Sequence, residues 1–172
     1  CMIDHLEDLQ FLDSLKIEGR AKSAYYAAVV TAAYRHGLDA LAAGEPLDPV
    51  WRDEVERVSH RPYSTGFFYG PPGQYYDDAR YIRQWQIAAL VTDCGPDGDA
   101  VLSLRNKFRT GDQVELVGPG LRPFSMTVPE MTDGDGLPLF EPRTPQSVFR
   151  MKLPRQVPPW TIVRREADLS AK

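Results

Sequence analysis

Two cysteines, Cys1 and Cys94, are the only thiols in the 172 residues, too few for a disulfide framework and suited to a reducing cytosol. Long apolar runs are missing as well. The longest, Ala27 to Ala33, is short and is broken by Thr31, which excludes a helical membrane span. Cys1-Met2-Ile3-Asp4-His5 has neither a basic stretch nor an apolar core, so it does not read as a secretory signal. The three histidines, His5, His36 and His60, share no ligand spacing and read as packing or hydrogen-bonding residues rather than zinc ligands. No glycine-flanked elbow surrounds Ser14, Ser23 or Ser64, which removes the usual signature of a nucleophilic serine.

The remainder has the composition of a folded domain, with 42% hydrophobic and 26% charged residues, and disorder of the whole chain is excluded. Cys1 precedes Met2, as expected of a piece of a longer polypeptide. The net charge of -4 is unevenly placed: residues 1–74 hold 7 basic and 11 acidic side chains, and residues 75–172 hold 13 of each. An acidic first half repels phosphate, so a nucleic-acid contact is expected in the second half.

Ile3, Leu6, Leu9 and Leu12 recur at steps of three and predict a short amphipathic helix. Leu15-Lys16-Ile17-Glu18 alternates apolar and charged residues up to Gly19, predicting a brief strand. An alanine-rich helix follows from Ser23, its N-cap, to Leu41. Asp48-Pro49 opens a further helix through Val58, with Asp48 as cap and Pro49 in the first turn. The segment from Ser59 onward is crowded with glycine, proline and aromatic residues and reads as a linker over 59–79.

Beyond it the periodicity switches to two, beginning with Trp85, Ile87, Ala89 and Val91. Strands are expected at 100–105, 113–117, 124–128, 137–140, 148–153 and 160–164, separated by turns rich in glycine, proline and aspartate. Short strands at near-regular spacing predict a small antiparallel β-barrel, closed or nearly so, over residues 80–172. The fold class is therefore α+β. Residues 1–58 form a helical segment around one strand, followed by the linker and the β-barrel.

The densest chemistry lies in Asp13 to Ser23, where Lys16, Glu18, Arg20 and Lys22 surround a glycine turn. If this is the last βα unit of a truncated TIM-like barrel, Leu15 and Ile17 face the helices, and Lys16 and Glu18 point into the barrel mouth, where such folds keep their sites. Glu18 is then a proton acceptor or metal ligand, and the three cations anchor an anionic substrate. The competing reading is a salt bridge that closes the barrel without touching a ligand.

With the Ser14 to Lys22 run, Tyr25-Tyr26, Tyr34-Arg35, His60 to Phe67, Asn106-Lys107-Phe108 and Gly111-Asp112, the chain resembles the C-terminal region of the peptidase U-32 family, the collagenase-like proteases. The resemblance spans nearly the whole chain. It implies an N-terminal barrel outside this chain as a partner and a C-terminal β-barrel like those of translation factors. It implies an enzyme, in several branches one that hydroxylates pyrimidines of tRNA or rRNA, and the low cysteine content adds the expectation that it is cytoplasmic. The family name implies instead a metal-assisted peptidase of collagen-like substrates. An iron-sulfur cluster held by four cysteines is implied for the intact protein, with Cys1 as the last ligand. No cofactor is expected on this chain alone, because a cluster needs its other thiolates.

Between Pro142 and Arg165 no acidic residue interrupts Arg143, Arg150, Lys152, Arg155, Arg164 and Arg165, the candidate RNA-binding set. On the strand from Val148, Arg150 and Lys152 share the outer face, and Phe149, Met151 and Leu153 turn inward. The alternative to RNA contact is a solvated face balanced by Glu130, Asp133, Asp135 and Glu141; for the chain as a whole, a non-catalytic binding or interaction module stands beside the two enzyme readings.

Overall fold

The computed structural model describes residues 1–73, 82 and 84–167. Residues 74–79 of the expected linker, and 80, 81, 83 and 168–172 of the expected β-barrel domain, lie outside the described residues. The chain divides into two compact units, Cys1–Gln84 and Trp85–Lys172. Its class is α+β, with two α-helices and an eight-stranded antiparallel sheet among the described residues.

In the first unit, helix α1 spans Ala24–Ala43 and α2 spans Pro49–Glu56. Ser23 caps α1 by accepting from Tyr26 N, and Gly44 ends it in the left-handed region at φ 69°, the conformation a glycine adopts without strain. Asp48 accepts from Val50 N ahead of Pro49, so both helix starts follow the cap chemistry read from sequence.

Two expectations fail here. The stretch from Ile3 forms two 3₁₀ turns, Ile3–His5 and Glu7–Leu9, because apolar residues at strict steps of three fit three residues per turn better than 3.6. Residues 14–19 form no strand. Among the described residues nothing pairs with them, and a parallel strand exists only against a neighbour. Their alternation survives without a ladder: Leu15 and Ile17 are half-buried, and Lys16 and Glu18 are exposed.

The core of this unit joins Ile3, Leu6 and Leu9 to Ala33 of α1 and to Trp51 and Val55 of α2. Gly37 permits the approach, since a Cβ there would fall 2.6 Å from Leu6 Cδ1. Residues 59–73, read as linker, fold back onto α2. His60 is buried, its ring stacks on Tyr63 at 4.5 Å, and its backbone bridges to Ile82.

The second unit contains β1 (Trp85–Cys94), β2 (Asp99–Leu104), β3 (Gln113–Gly118), β4 (Leu121–Thr127), β5 (Met131–Thr132), β6 (Pro138–Leu139), β7 (Val148–Lys152) and β8 (Ile162–Glu166). They follow the order β4-β3-β8-β1-β2-β7-β5-β6, so β8 lies between β3 and β1. The β1–β2 turn is tight. Gly98 has φ 87°, and a Cβ there would sit 2.3 Å from the Leu153 carbonyl oxygen, a place only glycine fills.

Alternate side chains of each strand enter one core, with Val91, Leu102, Leu116, Phe149, Met151 and Val163 at most 2% exposed. Burying each contributes about 2 kcal/mol. Phe124 and Met126 of β4 and Leu139 of β6 pack on this same core, so the sheet's two edge regions curl around a shared interior. Only β5 escaped the sequence reading, because two residues are too few for a visible alternation.

Candidate functional site

In the first unit a pocket of about 460 Å³ opens between α1, the extended stretch 15–18 and the 3₁₀ turns. One wall is built by Tyr26, Val30 and Tyr34 of α1, which lie at successive steps of four and therefore on one helical face. Leu9, Leu12, Leu15 and Ile17 make it largely apolar, and Cys1, Lys16, Glu18 and Tyr63 bring in polar groups. An apolar cleft with a few convergent polar groups is the usual form of a ligand site.

Lys16 Nζ stands 3.4 Å from Glu18 Oε2, with side chains 84% and 67% exposed. Such a pair contributes at most about 1 kcal/mol to stability. Glu18 Oε1 also accepts from Arg20 N at 2.9 Å, and its backbone carbonyl accepts from the Tyr26 hydroxyl at 3.4 Å. Lys22 Nζ donates to Ser59 O at 2.8 Å and lies 5.3 Å from the centre of the Tyr26 ring. The turn carrying the four charged residues is thus hung on α1 and on the end of α2.

Deeper in the pocket, the Tyr34 hydroxyl accepts from Met2 N at 3.2 Å and lies 3.4 Å from Cys1 Sγ. The Tyr63 hydroxyl donates to Val55 O at 2.6 Å. Burial pushes both phenols above their ordinary range, Tyr63 far above it. Both are therefore neutral hydrogen-bonding groups at any physiological pH.

Of the residues expected to act together, Cys1, Lys16 and Glu18 line this pocket, and Arg20 and Lys22 do not. The tyrosines were visible in sequence, but no role was read for them. Their polar tips at helical spacing beside an apolar face were the available signal.

Among the described residues no three or more His, Cys, Asp or Glu side chains gather as metal ligands. Cys1 contributes one thiol; Cys94 is buried in the other unit, where its Sγ–H donates to Gly95 O at 3.6 Å. This donor set does not fit an iron-sulfur cluster, which takes four protein ligands. The histidines are occupied in packing and hydrogen bonding: His36 stacks on Trp51 at 3.8 Å, His60 on Tyr63, and His5 Nδ1 lies 3.0 Å from the Tyr69 hydroxyl.

In the second unit the basic candidates divide. Arg150 and Lys152 occupy the outer face of β7, as the alternation predicted. They are ion-paired with Asp99 and Asp97, each at 2.6 Å. Arg143 pairs with Glu141 at 3.2 Å, and Arg165 lies 3.8 Å from Asp112. Arg155 stacks over the Phe124 ring at 4.3 Å. Arg164 corrects the sequence reading: it is 0% exposed, so it presents no charge to a phosphate. Because β8 lies between two strands with both faces covered, its guanidinium is held against Glu115 at 2.8 Å and over Trp85 at 5.0 Å.

These two units correspond to two family models. Residues 1–78 match Peptidase family U32, and residues 83–164 match the Peptidase family U32 C-terminal domain. The chain belongs to peptidase family U32.

It is 34% identical over 161 residues to tRNA hydroxylation protein P1 of Bacillus subtilis, covering 90% of this chain and 38% of that protein. It is 36% identical to tRNA hydroxylation protein P of Haemophilus influenzae, over 68% of this chain and 27% of that one. The chain thus spans about a third of the length of the curated relatives it matches. A crystal structure of the C-terminal domain of a Geobacillus thermoleovorans U32 peptidase is 33% identical at TM-score 0.45, covering 46% of this chain and 99% of that one. No helix among the described residues is long and apolar enough to cross a membrane.

Proposed function

We propose that this chain is the C-terminal part of a cytoplasmic enzyme that hydroxylates a pyrimidine of tRNA. The observation that carries the reading is the 34–36% identity to proteins named for tRNA hydroxylation in three bacteria. The first unit offers a pocket that suits the role, with Lys16 and Glu18 at its mouth and neutral Tyr34 and Tyr63 inside. In the intact protein these residues complete the site of an N-terminal TIM-like barrel, with Arg20 and Lys22 anchoring the anionic substrate beside it. Cys1 there joins further cysteines around an iron-sulfur cluster. The curled sheet acts as a small barrel that holds the RNA.

The test replaces Glu18 by Gln in the full-length protein and measures hydroxylated uridine in cellular tRNA by mass spectrometry. Loss of the modification at normal protein abundance is expected. Unchanged modification removes Glu18 from the chemistry.

A second reading, a peptidase, draws on the family's name and on 30% identity to a Methanocaldococcus jannaschii protein named as an uncharacterized protease. Cleavage of gelatin by the purified full-length protein, abolished by Glu18→Gln, would favour it.

A further inference from the structure

The cations of the second unit that carry no carboxylate partner among the described residues include two outside the basic stretch of the sequence, Arg105 and Lys107. Both are exposed on the connection from β2 to β3. The backbone beneath them is pinned. Arg105 N and Asn106 N both donate to Ala88 O, at 2.8 and 3.0 Å, and Asn106 Nδ2 donates to Ile87 O at 2.7 Å. Phe108, two residues on from Asn106, is buried.

A second connection, from β6 to β7, is laced to the first. Thr110 N donates to Phe140 O at 3.0 Å, Gln146 N to Leu104 O at 2.9 Å, and Leu104 N to Ser147 O at 2.9 Å. This brings Arg143 and Phe140, a residue 64% exposed, onto the same end of the sheet. The carboxylates of these two connections, Asp112 and Glu141, are ion-paired with Arg109 and Arg143. These two connections therefore keep more cations than carboxylates beside an open aromatic face, with exposed Glu130 on the adjoining β4–β5 connection.

We infer that the RNA contact of the second unit is centred on this end of the sheet, with Arg105 and Lys107 on phosphates and Phe140 stacked on an unpaired base. The assignment rests on the tRNA reading above and deepens it. The outer face of β7 is the weaker site, because Asp97 and Asp99 already neutralise its cations. A cation that neutralises a phosphate releases a counterion, so its loss flattens the salt dependence of binding; a stacked ring leaves that slope alone. Held on pinned backbone, the two cations bind without first having to order a loop.

The experiment measures tRNA binding to the 172-residue chain by fluorescence anisotropy between about 50 and 200 mM salt. Arg105→Gln with Lys107→Gln is expected to weaken binding about tenfold at the low end and to lower the salt slope by about 1.5. Phe140→Ala is expected to weaken it about tenfold with an unaltered slope. Arg150→Gln with Lys152→Gln is expected to change affinity less than about twofold. Thermal melts establish that each variant folds.

If the β7 pair proves more damaging than the Arg105 and Lys107 pair, this surface is wrong and the tRNA reading stands. If the unaltered chain fails to bind tRNA at low salt, RNA holding by the second unit falls with it. Displacement of tRNA by polyglutamate at equal charge would show a general polyanion surface and would also overturn the assignment.

Discussion

Arg164 and Glu115 face each other across β8 and β3, the guanidinium wholly buried and donating at 2.8 Å to a carboxylate whose side chain is 17% exposed. A guanidinium removed from water is tolerated where opposite charge and aromatic surface meet it, as Glu115 and Trp85 do here. Replacing Glu115 by Gln takes the negative charge from beside a cation that cannot reach solvent. The expected loss is about 3 kcal/mol, read as a lower urea midpoint at unchanged slope.

Gly37→Ala tests packing against propensity. On an open helix this change stabilises by about 1 kcal/mol. Here the new methyl would meet Leu6 Cδ1 at 2.6 Å, and overpacking of that kind costs about 1–3 kcal/mol. The thermal midpoint of the first unit is expected to fall; a rise would show that Leu6 yields freely.

Asp97 titrates below the ordinary aspartate range, first through its hydrogen bond from Lys152 and next through that from Asp99 N. A carboxyl whose folded value is depressed adds stability above its unfolded value and loses it as pH falls through the folded one. Carboxyl NMR of Lys152→Met should show the Asp97 midpoint moving upward part of the way, with the bond from Asp99 N still in place. An unmoved midpoint would mean that the pair does not persist in solution.

For Tyr34 and Tyr63 the sign is opposite. Burial raises both phenols from an ordinary value of 10.0, so their contribution is whole below that pH and is lost as pH rises toward the folded values. Alkaline unfolding followed by phenolate absorbance should begin near pH 10 and be delayed in Tyr63→Phe. At neutral pH that variant should be less stable by about 1 kcal/mol, because the Val55 carbonyl loses its donor.

Where a local rule was sufficient, the structure was legible in advance. Ser23 and Asp48 announced two helix starts, and the alternation from Val148 placed Phe149 and Met151 inside and Arg150 and Lys152 outside. Spacing alone misled at Ile3 to Leu12, because a step of three serves both an α-helix and a 3₁₀ turn. The Leu15 to Glu18 alternation was real, but a strand also requires a neighbour, and that is not a local property. The same limit hid Arg164, whose burial depends on which strands flank β8. The ion partners Asp97 and Asp99 were invisible for a related reason: they lie in the β1–β2 turn and at the start of β2, 55 and 51 residues before the cations they meet.

The placement of β8 also bears on biosynthesis. Between β3 and β1 it acts as the keystone of the sheet, yet a ribosome makes it after every other strand of the described residues. Until Ile162 to Glu166 leave the exit tunnel, the earlier strands can assemble only as two separate ribbons, β4-β3 and β1-β2-β7-β5-β6, each with an unprotected flank. A nascent chain stalled before Ile162 should accordingly be prone to pair with its neighbours on the same polysome.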